Sequence, residues 1–270
     1  MRIRIIDAFT ERPFAGNPAG VCLLDGDAWP DETWMRQVAA EVHASETAFA
    51  HPMGSDNEWG LRWFTPAVES DLCGHATLAT THALRSDDRI AGAVRYHTRS
   101  GVLIAHPNDD DTITLDFPAA PLTEVPIPEG LVEALGVKPE ATYRTGPLRD
   151  LLTVLSDEAA VRAVAPDIAA VEALTRRDNI RGVTVTAPAT EYDFVSRFFA
   201  PGDGIPEDPV TGSAHTAIAP YWAGRLGRDE LTGLQASART GVLRLAVRGD
   251  RVHITGSAVT VVDGTLLSEP

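Results

Sequence analysis

The chain has 270 residues, of which 44% are hydrophobic and 23% are charged, a composition typical of globular proteins and not of disordered or fibrous ones. Its formal net charge of −15 has the wrong sign for binding a nucleic-acid backbone or an anionic membrane surface, so we expect neither partner. Its single lysine, Lys138, lies in a predicted surface turn, which argues against lysine Schiff-base chemistry and against a phosphate-binding loop.

In chain order, the predicted elements are mostly strands. The N-terminal stretch MRIRIIDAF alternates as a strand does and does not have the pattern of a signal peptide, and no apolar run is long enough to predict a membrane span. Alternating or β-branched patterns predict strands at 2–9, 20–24, 94–97, 102–106, 112–117, 183–187, 195–199, 242–248 and 251–255. Helices are predicted at 31–42, 74–85, 159–164 and 212–226. This mixture predicts an α+β fold, with a mostly antiparallel sheet curling around a helix in each half.

The cysteines and histidines provide no metal-binding or disulfide pattern. Cys22 and Cys73 are too few for a disulfide framework, and their spacing matches no short zinc motif, so we expect a reducing, cytoplasmic setting. His75 and His82 would lie about 10.5 Å apart along a helix, which is too far for one metal ion. Acid–base or hydrogen-bonding roles remain for His75.

The sequence repeats itself once over half its length. Residues 62–66 (RWFTP) match residues 197–201 (RFFAP), 135 positions later. Downstream, Gly74 and Gly212 each open a helical pattern of small residues, and they are 138 positions apart. The difference of three residues is what one loop insertion would leave. We therefore predict two lobes, 1–118 and 119–270, joined by the proline-rich stretch 117–130, and leave open that the last strand crosses back.

The two glycine-initiated helices are candidate anion-binding sites. The start of a helix carries unpaired backbone N–H groups at the positive end of the helix dipole, where a carboxylate or an oxyanion can bind. If the lobes face each other about a pseudo-twofold axis, Gly74 and Gly212 would both lie at one cleft and hold a small anionic substrate from two sides. Ordinary helix capping is the alternative explanation.

Reactive or hydrogen-bonding side chains surround both helix starts: Asp71, Cys73 and His75 in the first half, and Asp208, Ser213 and His215 in the second. Structural roles are open for them as well. The aspartates would complement the helix dipole, Ser213 would bond the local backbone, and Cys73 would be a small buried apolar residue.

Glu46 is a further candidate, because it is a lone carboxylate between helix 31–42 and a strand that continues through Phe49. In an apolar cleft, desolvation would disfavour its charged form and suit it for proton transfer near neutral pH. A solvent-facing glutamate before a strand is the alternative.

Four stretches, in order along the whole chain, resemble the PhzF family of phenazine-biosynthesis isomerase-like proteins: DAFTERPFAGNPAGV (7–21), SETAF (45–49), FTPAVESDLCGHATLA (64–79) and DPVTGSAH (208–215). The resemblance implies the fold of diaminopimelate epimerase. Two pseudosymmetric, barrel-like lobes would enclose the active site, the usual assembly would be a homodimer, and no cofactor or metal is implied.

The resemblance also implies roles for individual residues. Glu46 corresponds to the catalytic acid/base. His75, Asp208 and Ser213 correspond to residues that surround the substrate and assist proton movement. Backbone N–H groups that would bind the substrate carboxylate belong to Gly74, His75, Gly212 and Ser213.

The related epimerases and proline racemases use two cysteines, one from each helix start, as a two-base pair. Cys73 occupies the first place and is expected to contact the substrate, but the segment DPVTG supplies no second thiol. The main hypothesis is therefore that Glu46 removes a proton from an acidified carbon of a small carboxylate and returns it elsewhere, in an allylic or tautomeric isomerisation. Two alternatives stay open: a non-catalytic ligand-binding or interaction protein on this scaffold, and an epimerase that uses Glu46 and Cys73 as unlike bases.

The sequence does not identify the substrate, and a place in phenazine production does not follow from it. Specificity is expected to come from the loops at 54–59, 178–182 and 201–208.

Overall fold

The computed structural model describes residues 1–55 and 57–268, so that Asp56, within the predicted specificity loop 54–59, lies outside the described residues. The strands are β1 (Arg2–Ala8), β2 (Asn17–Leu23), β3 (Glu46–Pro52), β4 (Glu58–Phe64), β5 (Glu69–Ser70), β6 (Val94–Thr98), β7 (Gly101–Pro107), β8 (Ile113–Pro118), β9 (Thr123–Val125), β10 (Ala141–Arg144), β11 (Leu151–Val154), β12 (Val183–Pro188), β13 (Phe194–Ala200), β14 (Ile205–Asp208), β15 (Glu230–Gln235), β16 (Gly241–Arg248), β17 (Arg251–Gly256) and β18 (Ala258–Thr265). The helices are α1 (Glu32–Val42), α2 (Gly74–Ser86), α3 (Leu131–Leu135), α4 (Glu158–Ala163), α5 (Ile168–Arg177) and α6 (Gly212–Leu226).

All of the strands and helices predicted at the stated ranges are present, with ends that differ by up to three residues. The prediction missed the helices α3 and α5 and several strands, among them β10, β11 and β15. The start of α5 is capped by the Asp167 side chain, which accepts from the Ala170 N–H. Among the described helices, none has the length and apolar character that a membrane crossing requires.

The chain divides into two units, each built around one helix. In the first unit, β1 pairs antiparallel with β2 and β18, β2 runs parallel to β3, and β3 pairs antiparallel with β4. Parallel strands need a crossover, which α1 supplies between β2 and β3. The central helix α2 contacts β1, β2, β3, β7 and β18, and ten of its thirteen residues are buried. A mostly antiparallel sheet thus surrounds α2.

The second unit repeats this plan with its own core. Antiparallel pairs join β9 to β10, β10 to β11, β12 to β13 and β15 to β16, while β11 runs parallel to β12 and β13 parallel to β15. Helix α6 packs against β15 and β16 and is buried along most of its length. A separate apolar cluster joins α3, α4 and α5 to β11, β12 and β13. The predicted α+β class, with a mostly antiparallel sheet packed on a central helix, is confirmed.

The unit boundaries differ in one respect from the predicted lobes 1–118 and 119–270. The second unit comprises Pro118–Val252, and the chain from His253 onward belongs with the first unit. The reason is the pairing of β18 along β1, from Arg2 opposite Thr265 to Ala8 opposite Ala258. The last strand, β18, therefore returns to the first unit.

The internal repeat corresponds to the same order of elements in each unit. The series β4, β5, α2 in the first unit matches β13, β14, α6 in the second. The change in offset from 135 to 138 falls between Pro201 and Glu207, a segment that begins with the 3-10 turn Pro201–Asp203.

Candidate active site

The two glycine-initiated helices, like the short helix α3, lack the aspartate caps that three other described helices have. Helices α1, α4 and α5 each begin after an aspartate whose carboxylate accepts from N–H groups of the first turn. Cys73 precedes α2 and Thr211 precedes α6, and neither side chain caps its helix. The first-turn N–H groups of Gly74, His75, Gly212 and Ser213 therefore have no side-chain cap of this kind, which suits them to a ligand anion.

The start of β2 places an asparagine against α2. Phe14 donates its backbone N–H to the Asp7 carboxylate at 2.7 Å, and this contact shapes the loop between β1 and β2. Gly16 then adopts φ +64°, and a Cβ there would lie only 2.1 Å from the Ala8 carbonyl oxygen, so glycine is required. The turn sets Asn17 opposite Ala8 at the first position of β2, where it is fully buried.

Glu46 and His75 meet in the interior of the first unit. Glu46 begins β3 opposite Ala19 of β2, and Ala19 lies on the same face as Asn17 because strand side chains alternate. The Glu46 carboxylate Oε2 lies 3.4 Å from His75 Nε2, and the two residues are 8% and 3% exposed. The predicted acid/base and its histidine are therefore side by side and shielded from water.

Asn17 determines which nitrogen of His75 carries the proton. The Asn17 amide Nδ2, a donor, lies 3.1 Å from His75 Nδ1, so Nδ1 must accept. Burial lowers the pKa of His75 to about 3, so the ring is neutral at physiological pH. Its single proton is then on Nε2 and faces the Glu46 carboxylate.

Cys73 lies beside Glu46 and His75, and the three residues form the Glu46 cluster. Their hydrogen bonding does not suit the binding of a metal ion. The Cys73 Sγ lies 3.4 Å from His75 Nδ1, and the ligand atoms of Glu46, Cys73 and His75 lie within 4.8 Å of one another. A metal on Nε2 would need that nitrogen deprotonated and the other ring nitrogen donating outward. Here Nδ1 faces the amide donor of Asn17, so the hydrogen bonding favours proton chemistry over metal binding.

In the second unit, a glutamine holds the loop that carries Asp208. Asp208 ends β14 and is 5% exposed. The Thr211 hydroxyl donates to its carboxylate at 2.5 Å, while the Gln235 amide accepts from the Thr211 N–H and donates to the Asp208 carbonyl, both at 2.8 Å. The loop before α6 is thus fixed on both sides of Asp208.

Ser213 is contacted by a buried ion pair. Arg181 donates two hydrogen bonds to the Asp150 carboxylate, at 2.8 and 2.6 Å, and its Nη2 also donates to Ser213 Oγ at 3.1 Å. Asp150 is 1% exposed and Ser213 is 3% exposed. A cation therefore lies beside the start of α6.

Asp71, His215 and Cys22 do not join the Glu46 cluster or the groups around Asp208 and Ser213. Asp71 is exposed, unlike Asp208, and its backbone carbonyl accepts from Ser100. His215 donates Nδ1–H to the Thr211 carbonyl at 2.8 Å, and burial lowers its pKa to about 4. Cys22 is buried in an apolar cluster with α1 residues, and burial raises its pKa to about 12, which makes it an unsuitable acid or base.

Four residues of these groups had no role in the sequence prediction. Asn17 lies within the motif 7–21 and Arg181 within the predicted specificity loop 178–182, so both segments were already identified. Asp150 and Gln235 had no comparable sequence signal.

A cavity of about 740 Å³ in the first unit contains none of the predicted site residues. Charged residues line it, including Arg62, Glu69 and Arg99, and these already pair with one another. The cavity is therefore not a candidate for the proton chemistry of the Glu46 cluster.

Comparisons with known proteins agree with the motifs. A family model described as "Phenazine biosynthesis-like protein" matches residues 6–264. An uncharacterized isomerase of Pseudomonas aeruginosa is 47% identical over 262 residues, which cover 97% of this chain and 96% of that protein. The crystal structure of a PhzF-family phenazine biosynthesis protein from Enterococcus faecalis has a TM-score of 0.89 and 41% identity, covering 97% of each chain.

A more distant structure shares the fold alone. A probable proline racemase from Agrobacterium radiobacter superposes with a TM-score of 0.68 at 11% identity, over 100% of this chain and 93% of its own. This likeness confirms the predicted epimerase-like fold class. The isomerase of Pseudomonas aeruginosa supports isomerase activity in broad terms. The chain belongs to the PhzC-PhzF family of phenazine biosynthesis-like proteins.

Proposed function

We propose that the protein is a cofactor-independent isomerase that moves a proton on a small carboxylate-bearing substrate, with Glu46 as the general acid/base. The observation that carries the proposal is the buried 3.4 Å contact between Glu46 Oε2 and the Nε2 of a neutral His75. A carboxylate in such surroundings is poorly solvated, which disfavours its charged form and makes it a better base.

The proton balance of the reaction is simple. The Glu46 carboxylate takes a proton from a carbon next to a carboxylate or a conjugated system, and the electron pair delocalises into that system. The proton on Glu46 exchanges with solvent before Glu46 delivers a proton to a different carbon, so a double bond shifts and no net proton is consumed. His75 Nε2–H would orient the carboxylate through both steps.

The remaining predicted site residues would bind the substrate. The N–H groups of Gly74, His75, Gly212 and Ser213 would hold its carboxylate and stabilise the enolate-like intermediate. Asp208 and Ser213 would assist proton movement, and Cys73 would line the site. A homodimer and a reducing, cytoplasmic setting are part of the proposal.

The spacing of the candidate bases argues against the epimerase alternative. Two bases that act on opposite faces of one carbon each need to come within about 3 Å of their proton, so their reactive atoms would be separated by clearly more than about 5 Å. The ligand atoms of Glu46 and Cys73 lie within 4.8 Å of each other. One base that acts on one face suits this arrangement better.

Proton exchange tests the proposal directly. The protein would be incubated in deuterium oxide with a panel of small carboxylic acids, including dihydro-hydroxyanthranilate, and exchange would be followed by NMR. We expect wild-type exchange, and a loss of at least about a hundredfold in Glu46→Gln with substrate binding retained. Glu41→Gln, an exposed glutamate on α1, is the matched control.

The outcomes separate the competing functions. A Glu46→Gln variant with more than a tenth of wild-type turnover contradicts the assignment of Glu46. Binding with no exchange across the panel favours the ligand-binding alternative. Deuterium that appears at a stereocentre with inversion, and without a double-bond shift, identifies an epimerase.

A further inference from the structure

The guanidinium of Arg181 is held on three sides. Asp150 accepts from Nε and Nη2, the Phe198 ring centroid lies 5.1 Å from Cζ, and Ser213 Oγ accepts from Nη2. The Arg181 side chain is 19% exposed and the Asp150 side chain is 1% exposed. A bidentate pair with an aromatic face against it leaves the guanidinium little freedom to rotate.

The backbone around this ion pair is equally well fixed. Arg181 N–H donates to the Arg149 carbonyl at 2.7 Å, and Leu151 N–H donates to the Gly182 carbonyl at 2.9 Å. A Cβ on Gly182 would lie 2.4 Å from the Phe198 ring, so this glycine allows the ring to pack beside the loop. The backbone at Arg181 and at its neighbour Gly182 is therefore held in place, which restricts where the Arg181 side chain can lie.

This arrangement determines what the Ser213 hydroxyl can do. A guanidinium is only a donor, so Ser213 Oγ must accept from Arg181. Among the described residues, the hydroxyl donates to no protein acceptor, and its one proton is left for a ligand. The N–H groups at the start of α6 are donors as well. The Ser213 hydroxyl and these N–H groups would therefore present protons to a ligand, while the Asp208 carboxylate in the preceding loop accepts from Thr211.

We propose that Arg181 is a positioning residue that makes the Ser213 subsite specific for an ionised carboxylate and selective against a carboxamide. This inference rests on the proposed function only in that Ser213 contacts the substrate. A carboxylate offers two acceptor oxygens to the donors, whereas a carboxamide offers one oxygen and turns its NH₂ group toward another donor. Without Arg181, the hydroxyl is free to rotate and can accept from an NH₂ group.

Binding of anthranilate and anthranilamide tests the inference, because these probes differ only in the group that Ser213 would contact. By calorimetric titration, we expect the wild type to bind anthranilate at least about tenfold more tightly than the amide. The double variant Arg181→Met/Asp150→Asn, which avoids leaving a lone buried carboxylate, should reduce this preference to about threefold or less, as should Ser213→Ala. Arg176→Met, an exposed arginine on α5, is the matched control and should keep the wild-type preference.

A double-mutant cycle separates this role from a purely structural one. If Arg181 acts through Ser213, replacing it in the Ser213→Ala background should not change the preference further. If the double variant does not fold, Arg181→Lys provides the decision. Lysine lacks the planar fork through which Arg181 bonds both carboxylate oxygens of Asp150 and Ser213 Oγ, so the preference should again fall. An equal loss with and without the Ser213 hydroxyl, or a wild type with no preference for the carboxylate, overturns the inference.

The outcomes also distinguish this inference from the proposed function. A carboxylate preference that depends on Arg181, found in a protein with no Glu46-dependent exchange, contradicts the isomerase proposal and leaves the role of Arg181 intact. Glu46-dependent exchange together with an unchanged carboxylate preference in the Arg181 variants supports the isomerase proposal and contradicts the role of Arg181.

Discussion

Arg62 and Arg197 make the same two contacts in their respective units. Each donates its Nε and Nη2 groups to one glutamate, Glu69 in the first unit and Glu207 in the second, at 2.7 to 2.9 Å. Each guanidinium also lies 5.0 Å from the ring centroid of the phenylalanine two residues later in its own strand. The repeated Arg-aromatic-Phe motif thus encodes one ion pair that connects two strands ahead of each glycine-initiated helix.

The ion pair of Arg197 should contribute measurably to stability. Its side chain is 12% exposed, and its Nη1 also donates to the carbonyls of Val161 and Val164 at the end of α4. Lysine keeps the charge but cannot bond two carbonyls and both carboxylate oxygens of Glu207. We expect Arg197→Lys to lower the free energy of unfolding by about 2 kcal/mol, measured by urea denaturation.

Arg176→Lys is the matched control for this substitution. Arg176 forms an exposed pair with Glu172 one turn earlier on α5, and such pairs contribute only about 0.3–0.5 kcal/mol. If Arg197→Lys costs no more than this control, Arg197 does not have the structural role assigned to it.

Asn17 should act on catalysis through the tautomer of His75. In Asn17→Asp, a carboxylate oxygen would face His75 Nδ1 and draw the ring proton to it, so that the unprotonated Nε2 would face the Glu46 carboxylate. We expect proton-exchange turnover to fall by about ten- to a hundredfold, less than on loss of Glu46 itself. Nitrogen-15 NMR of the histidine ring would report the tautomer.

A change of the His75 tautomer without a loss of turnover would contradict this role of Asn17. If the Asn17→Asp spectrum shows the proton on Nδ1 and turnover is unchanged, the Nε2–H group does not assist Glu46. Asn108→Asp provides a control, because the described partners of Asn108 are Thr112, Thr114 and Arg85, which lie outside the Glu46 cluster.

Cys73 should be dispensable for the proposed one-base reaction. Cys73→Ala removes a thiol that lies beside His75 but has no proton to transfer in that mechanism. We expect turnover to fall by less than about tenfold, whereas loss of a second catalytic base would lower it by about a hundred- to ten-thousandfold. Steady-state exchange kinetics with the same substrate would decide between the two, and a loss in the larger range would revive the epimerase alternative.

The sequence predicted those features that depend on neighbouring residues. Glycines followed by small residues predicted the starts of α2 and α6 at Gly74 and Gly212, as the structure has them. The pairing of β18 with β1 joins residues 250 to 263 positions apart, and no local pattern contains it. The predicted lobes 1–118 and 119–270 therefore left open the return of the last strand to the first unit.

Contacts between residues far apart in the sequence were also missed in the candidate site. Glu46, Cys73 and His75 stand in recognisable motifs, and the structure brings them together. The partners of Ser213 do not stand in recognisable motifs, because Arg181 is 32 residues from Ser213 and Asp150 is 31 residues from Arg181. The sequence predicts a role in specificity for the loop 178–182, whereas the position of the Arg181 side chain depends on a buried aspartate that the fold supplies.

Buried histidines should make stability depend on pH. Burial lowers the pKa of His75 to about 3 and that of His215 to about 4, compared with 6.5 for an exposed imidazole. Below pH 6.5, the unfolded chain binds protons that the folded chain does not, so the free energy of unfolding should fall as the pH decreases toward 4. Each histidine contributes a slope of up to about 1.4 kcal/mol per pH unit in that window.

The variant His215→Asn isolates one of these contributions. Asparagine can keep the hydrogen bond to the Thr211 carbonyl through its Nδ2 but does not titrate. The destabilisation caused by the substitution should therefore shrink by up to about 1.4 kcal/mol for each unit between pH 6.5 and 4, and remain constant above pH 7. Urea denaturation of both proteins at several pH values would measure the difference. Parallel pH profiles would mean that His215 becomes protonated in the folded state as readily as in the unfolded chain, contrary to its burial within α6.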